Sequence, residues 1–264
     1  MKVLNPNLDL QLFYQHITQA AYRVLFLDYD GTLAPFNTEP AKALPYPGIR
    51  DLLNKIMLSG NVRLVIITGR WIRDLIPLLK LNSSPEIWGS HGLERLKPDG
   101  SYEIAPMDET ALNGLVIAHE WVESMGLAAH CEEKPGCLAL HWRGLDSVRA
   151  QEIRRIVQPK WELIAEGWKL RLSEFDGGLE LRVPIRDKGY AVRTVLSEMG
   201  GDIAAAYLGD DKTDEDAFKS IKGRGIGVLV RKEMRDTVAD MWIKPPRELL
   251  DFLSRWLCGG MVNR

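Results

Sequence analysis

The stretch "VLFLDYDGTLAPF" (residues 24–36) runs from unbroken apolar sequence, Val24 to Leu27, directly into Asp28, Tyr29, Asp30, Gly31 and Thr32. A continuous apolar run of this length reads as a strand buried on both faces of a parallel sheet. Its end aims two carboxylates at one place. Ligands of open α/β sheets bind beyond the carboxyl ends of the strands, so the residues just past each apolar run are where chemistry collects.

Outward from this strand the same pattern repeats. "PGIRDLLNKIMLSG" places Ile49, Leu52, Leu53, Ile56 and Met57 on one helical stripe with Gly60 as its stop. "VRLVIITGR" is a second buried strand, "WIRDLIPLLKL" a helix that must accommodate Pro77, and "EIWGSHGLE" a short strand with a loop. Later, "DKGYAVRTVLSEMGG" is helical, "IAAAYLGDD" is a strand ending in carboxylates, and "GIGVLV" is another short strand. Strands alternating with helices predict a doubly wound, Rossmann-like α/β core. The middle breaks the rhythm: a helix around Leu112 to Met125, the strand "CLALHWRGL", a charged helix "SVRAQEIRRIVQ", and two β-like stretches, "WKLRLSE" and "GLELRVP", about the turn "FDGG". Residues 105–184 are therefore expected to form an α+β domain inserted into a core made of 1–104 and 185–264.

The whole chain narrows the function classes. With 264 residues there is room for a core and a second lobe, and 34 basic against 36 acidic residues leave a net charge of -2. That balance gives no electrostatic case for nucleic acid or an anionic membrane, so a small ligand is the expected partner. Cys131, Cys137 and Cys258 have neither an even count nor metal-ligand spacing and read as reduced thiols. Pro6 and Asp9 interrupt what a signal peptide would need, and no apolar run is long enough to span a bilayer, so a cytoplasmic location is expected.

Four strand ends or helix starts hold the candidate chemistry: Asp28 and Asp30; Thr68, Gly69 and Arg70; Lys188; and Asp210, Asp211 and Asp214. Carboxylates gathered in one crevice raise each other's pKa unless something positive sits among them. Mg²⁺ suits such a site, because it takes carboxylates and waters and keeps positions for substrate phosphate. Asp28 and Asp30, two residues apart, can then serve as nucleophile and as acid followed by base. Each signal alone is weak: Asp-Gly is an ordinary turn, and "DDKTDED" suits any helix N-terminus. Arg70, Glu215 and Asp216 are read as surface or helix-capping charges. The four signals in one order carry the argument.

"DYDGT", "ITGR", Lys188 and "GDDKTD" together resemble the haloacid dehalogenase superfamily of phosphohydrolases. The resemblance implies that Asp28 attacks phosphorus to form an aspartyl-phosphate, and that Asp30 protonates the leaving oxygen and then activates water. It further implies that Thr68 and the Gly69 amide hold phosphoryl oxygens, and that Lys188 stabilises charge on Asp28 and the phosphoryl group. Mg²⁺ would be ligated by Asp28, Asp210 and the Asp30 carbonyl, with Asp211 and Asp214 ligating it or orienting its waters.

"LFLDYDGTLAPF", "GSHGLE", "EEKPGCLALHWR", "GLELRVP", "DKGYAV" and "YLGDDKTDEDAF" extend the likeness, across nearly the whole chain, to the trehalose-6-phosphate phosphatase family. In that family an inserted cap closes over the core and reads the disaccharide. The matching positions are Glu132, Lys134, His141, Arg143 and Glu180 in the cap, with His91, Gly92 and Glu94 in a core loop. On "CLALHWR", His141 and Arg143 are two apart and are expected on one strand face, with Trp142 on the other. Trp88, Trp121, Trp161 and Trp168 are read as packing, with sugar stacking open to any one of them. The resemblance implies an Mg²⁺-dependent phosphatase acting on trehalose 6-phosphate, without an attached glycosyltransferase domain, whose substrate comes from a separate enzyme. A phosphatase for sucrose phosphate, glucosylglycerol phosphate or mannosylglycerate phosphate, a sugar phosphomutase, and a non-catalytic sugar-phosphate sensor stay open as alternatives.

Overall fold

The computed structural model describes residues 1–37, 39–175 and 177–257. Cys258 lies outside them. The chain divides into two compact units, Met1–Glu103 with the chain from Asp187 onward, and Ile104–Arg186.

The first unit is built on a nine-stranded sheet. Its strands are β1 (Lys2–Val3), β2 (Tyr22–Leu27), β3 (Arg63–Ile67), β4 (Glu86–Gly89), β5 (Glu94–Leu96), β6 (Tyr102–Ile104), β11 (Ile203–Gly209), β12 (Ile226–Val230) and β13 (Met241–Ile243). In space they run β1-β13-β12-β11-β2-β3-β4-β5-β6. From β13 to β4 every pairing is parallel, while β1 and β5 join antiparallel.

Both faces are covered, which explains the unbroken apolar runs. On one face Leu25, Leu27, Leu64, Ile66 and Leu208 pack with α1 (Leu10–Gln19), α2 (Ile49–Leu58), α3 (Ile72–Leu79) and α8 (Arg247–Ser254). On the other, Val24, Phe26, Val65, Ile67 and Tyr207 meet α6 (Lys188–Ser197) and α7 (Glu215–Ile221). Successive residues of each strand thus feed alternate layers. Helix α1, which the apolar pattern did not reveal, starts on Asp9, whose side chain accepts from the amides of Gln11 and Leu12. Helix α3 admits Pro77 only near its end and stops two residues later, with Lys80 left-handed at φ 48°.

Strand register places the site. Leu208 of β11 pairs with Leu27 of β2, and Leu27 with Ile66 of β3, so the three strands end at nearly the same level. The Asp28 amide continues the ladder to the Leu208 carbonyl at 2.9 Å, as the Thr68 amide does to that of Trp88 at 2.9 Å. Asp28, Thr68 and Asp210 therefore emerge together.

The second unit is a four-stranded antiparallel sheet of β7 (Cys131–Lys134), β8 (Cys137–His141), β10 (Gly178–Arg182) and β9 (Arg171–Phe175), in that order. Helices α4 (Glu109–Ser124) and α5 (Ser147–Gly167) cover one face through Ala118, Val122, Ile153, Val157, Trp161 and Ile164. Two details differ from the sequence reading. β7 is a strand although "CEEK" is almost wholly polar, because the Pro135-Gly136 turn folds it back on β8. Helix α5 also continues through Pro159 to Gly167, since the buried stripe Ile153, Val157, Trp161 and Ile164 outweighs the proline. Cys131 and Cys137 are free thiols. No helix among the described residues is long and apolar enough to cross a membrane.

Candidate active site

Asp28 leaves β2 4% exposed, and Lys188, the first residue of α6, reaches it. The Lys188 ammonium donates to Asp28 Oδ1 at 2.8 Å and to Asp214 Oδ1 at 2.7 Å. Helix α6 can begin there because Asp187 caps it, accepting from the Tyr190 amide at 2.6 Å. One lysine thus serves two buried carboxylates.

Oxygens of Asp28, Asp210 and Asp214 all lie within 4.8 Å of one another. Burial, the largest influence on Asp28, combines with Asp214 and Asp30 to outweigh Lys188 and lift its carboxyl to about 7. Burial, with the charges of Asp28, Asp214 and Asp211, pushes Asp210 well above the ordinary carboxylate range against the pull of Lys188. Asp210 Oδ2 is buried with no hydrogen-bond partner, and Arg231 Nη1 stands 3.8 Å from it. Orphaned oxygen and mutual repulsion are what a divalent cation would relieve, so the residues present fit one. Gly31 makes the crowding possible: at φ 78°, a Cβ there would stand 2.2 Å from Asp210 Oδ2.

The remaining aspartates divide into different jobs. Asp214 Oδ1 also accepts from Tyr207 Oη at 2.5 Å, and its Oδ2 accepts the amides of Asp210 at 3.0 Å and Asp211 at 2.9 Å. All four acceptor sites of that carboxylate are engaged, so Asp214 braces the loop rather than presenting an open lone pair. Asp211 caps the short turn Lys212–Asp214 in a reciprocal arrangement with Asp214. Neither Asp211 nor the Asp30 carboxylate belongs to the three-carboxylate cluster.

Asp30 is gripped instead by Arg70, with Nε to Oδ2 at 2.6 Å and Nη2 to Oδ1 at 2.7 Å. Arg70 Nη1 adds the Pro40 carbonyl at 2.9 Å, and the guanidinium lies 5.4 Å from the Tyr29 ring centroid. The reading of Arg70 as a surface or capping charge is corrected: its side chain is only 12% exposed and is committed to Asp30. Its position directly after Thr68-Gly69 was the available signal. Glu215 likewise is no loose surface charge, since Arg235, Thr237 and the Val238 amide hold its carboxylate.

Thr68 is 1% exposed, and its Oγ1 accepts the Arg70 amide at 3.1 Å, which leaves its proton to donate elsewhere. The His91 amide donates to the Thr68 carbonyl at 3.0 Å. Ser90 and His91 are both left-handed, at φ 47° and 56°, and Gly92 follows at 102°. Non-glycine residues in that region store strain of about 1–3 kcal/mol each, a frequent property of functional loops. The turn lays the His91 ring against Gly69, where a Cβ would stand 2.6 Å from Nε2. Glu94 departs from the expected sugar contact. It is fully buried; Ser90 Oγ at 2.6 Å and the Ile72 amide at 3.4 Å donate to Oε2, and Tyr102 Oη donates to Oε1 at 2.8 Å.

The second unit carries its own polar group on the sheet face opposite α4 and α5. Glu132 and Glu180 flank Ala139 across three strands, and His141 shares that face two residues on. His141 Nε2 lies 2.9 Å from Glu132 Oε2, Lys134 Nζ 3.4 Å from the same oxygen, and the His141 ring meets Phe175 edge-on at 5.2 Å. Burial would raise the Glu132 carboxyl, but His141 and Lys134 outweigh it and hold it down at about 2. Arg143 is not on this strand face, because β8 ends at His141. It sits in the following turn, packed against Gly177. Trp88 and Trp161 are buried in the cores; Trp121 and Trp168 pack at the edge of the second unit's core.

Comparison with known proteins follows the same lines. A trehalose-phosphatase family model matches residues 26–241. Trehalose-phosphate phosphatase B of Arabidopsis thaliana is 32% identical over 256 residues, covering 88% of this chain and 65% of that protein. Probable trehalose-phosphate phosphatase 4 of Oryza sativa subsp. japonica is 33% identical, with the same coverage. The chain thus spans about two thirds of the length of these relatives. Among solved structures, the C-terminal domain of a C. albicans trehalose-6-phosphate phosphatase shares the fold at a TM-score of 0.80 and 20% identity, covering 97% of this chain and 99% of that one. A haloacid dehalogenase-like hydrolase from B. subtilis does so at 0.62 and 13%, covering 87% and 98%. With the family model matched over most of its length, this chain belongs to the trehalose-phosphatase family.

Proposed function

We propose that the protein is an Mg²⁺-dependent phosphatase that hydrolyses trehalose 6-phosphate to trehalose and phosphate. The observation that carries the reading is the buried trio Asp28, Asp210 and Asp214, in which Lys188 serves Asp28 and Asp214 while one oxygen of Asp210 is left without a hydrogen bond. Family membership and the names of the relatives supply the substrate class.

In this reading Asp28 attacks phosphorus, the bond to the sugar oxygen breaks, and an aspartyl-phosphate forms. Asp30, its carboxyl oriented by Arg70, gives a proton to the departing oxygen and then takes one from the water that cleaves the acyl-phosphate. Lys188 meets the negative charge that builds between Asp28 and the phosphoryl oxygens, and the Thr68 hydroxyl and Gly69 amide hold those oxygens. The cation, held by Asp28, Asp210 and the Asp30 carbonyl, would neutralise phosphate charge beside the nucleophile. Sugar recognition falls to Glu132, Lys134, His141, Arg143 and Glu180 of the second unit, with His91 and Gly92 in the core. Carboxylate and cationic groups there make charge-assisted bonds to hydroxyls. Glu94 supports the strained turn that carries His91.

The test is phosphate release with Mg²⁺ from trehalose 6-phosphate beside sucrose 6-phosphate, glucose 6-phosphate, glucosylglycerol phosphate and an aryl phosphate. Strong preference for trehalose 6-phosphate is the expected result. Preference for another ester would keep the core roles and overturn the sugar, while transfer without free phosphate would indicate a mutase.

A further inference from the structure

The peptides at Asp210 and Asp211 are gripped from two sides. Their amides point to Asp214 Oδ2, at 3.0 and 2.9 Å. Both carbonyls are bridged by Arg235, whose Nε donates to the Asp210 carbonyl at 3.1 Å and Nη2 to that of Asp211 at 2.6 Å, while Arg231 Nη1 reaches the Asp210 carbonyl at 3.5 Å. Arg235 Nη1 completes the fork on the Asp236 carbonyl at 2.7 Å and on Glu215. Glu215 is itself fixed by Thr237 Oγ1 at 2.8 Å and the Val238 amide at 2.9 Å. The side chains of Arg235 and Glu215 are 17% and 18% exposed.

This grip opposes a specific force. Asp210 stands among like charges, and a loop free to turn would swing its carboxylate outward to water. With the amides and carbonyls of both residues fixed, the carboxylate stays beside Asp28. A planar guanidinium can bridge two carbonyls and a carboxylate at once, which an ammonium cannot do with the same geometry.

We propose that Arg235, anchored by Glu215, is the positioning residue that sets the Asp210 carboxylate for the divalent cation, and so sets cation affinity. The proposal rests on the cation role given to Asp210 above. Groups that orient metal ligands from behind typically change affinity by roughly 10–100-fold when removed.

The experiment measures Mn²⁺ binding to the metal-stripped full chain without substrate, by the EPR signal of free Mn²⁺, for wild type, Arg235→Ala and Arg235→Lys. Turnover against Mg²⁺ concentration is followed in parallel. Arg235→Ala should bind Mn²⁺ roughly 10–100-fold more weakly, Arg235→Lys should recover part of the loss, and excess Mg²⁺ should restore most turnover with KM for the ester little changed. Should Arg235→Ala fail to fold, Arg235→Lys and Glu215→Gln carry the same comparison, each expected to weaken binding by a smaller factor. Mn²⁺ affinity within about twofold of wild type in folded variants overturns the proposal alone. A wild type that binds no Mn²⁺ overturns the cation reading and this proposal with it.

Discussion

Asp28 and Asp214 divide one lysine between them while Asp210 Oδ2 has no hydrogen bond, whereas Glu132 in the second unit lies between His141 and Lys134. The two clusters use the same residue types to opposite electrostatic ends. In the core, burial and repulsion hold Asp28 up at about 7; in the second unit, partners hold Glu132 down at about 2. The first group has charge left to be neutralised, as a site for a cation and a phosphoryl group requires. The second is balanced within itself, as suits donors and acceptors for neutral hydroxyls.

The largest break in that contrast is Asp28→Asn. It removes the proposed nucleophile, so phosphate release should fall by roughly 10⁴-fold or more while circular dichroism stays native. Near-normal release from the purified variant would remove Asp28 from its role. The same substitution should alter pH dependence in the cation-free protein. The folded carboxyl, at about 7, binds a proton more tightly than the unfolded one at its ordinary 3.8, so wild-type stability should decline as pH rises from about 4 to about 7. Asp28→Asn should flatten that decline, and added Mg²⁺ should reverse it in wild type. Urea titrations across that range in chelator would show it.

Arg70→Ala should have the next largest effect. Without the bidentate hold, Asp30 loses orientation, and protonation of a poor leaving group suffers most. Turnover of the sugar ester should drop by about 10²-fold, and that of nitrophenyl phosphate, whose leaving group needs no proton, by far less. Equal losses on both esters would mean that Arg70 only holds the loop together.

The parts of this site differ in how they could be read from the chain, and the reason is physical. Asp28, Thr68 and Asp210 follow apolar runs directly, so their place at strand ends is written in local pattern; Lys188 follows a helix cap. Arg235 and Tyr207 act through tertiary contact, with Arg235 meeting the Asp211 carbonyl from 24 positions away, and no period encodes that. The capacity of Asp214 was equally hidden, because only the geometry shows its lone pairs filled. Polar "CEEK" gave no strand signal since its pairing comes from β8, and Pro159 obscured the second half of α5. Arg143 shows the converse: alternation placed it on a face that ends two residues earlier.

The mildest change should be His141→Ala in the second unit. If that cluster reads the sugar, loss of the imidazole deprives Glu132 of its 2.9 Å partner and removes one contact to the disaccharide, while the core chemistry keeps all its groups. A site built to bond a hydroxyl loses affinity when one partner goes, so KM for trehalose 6-phosphate should rise about 10-fold with kcat nearly unchanged. A small aryl phosphate offers no hydroxyls to this face and should be turned over as by wild type. Glu132→Gln should shift KM the same way by a smaller factor, since the amide can still accept from Lys134. Parallel loss on both substrates would make the balanced cluster a structural brace of the sheet, and the contrast between the two units would then concern folding rather than recognition.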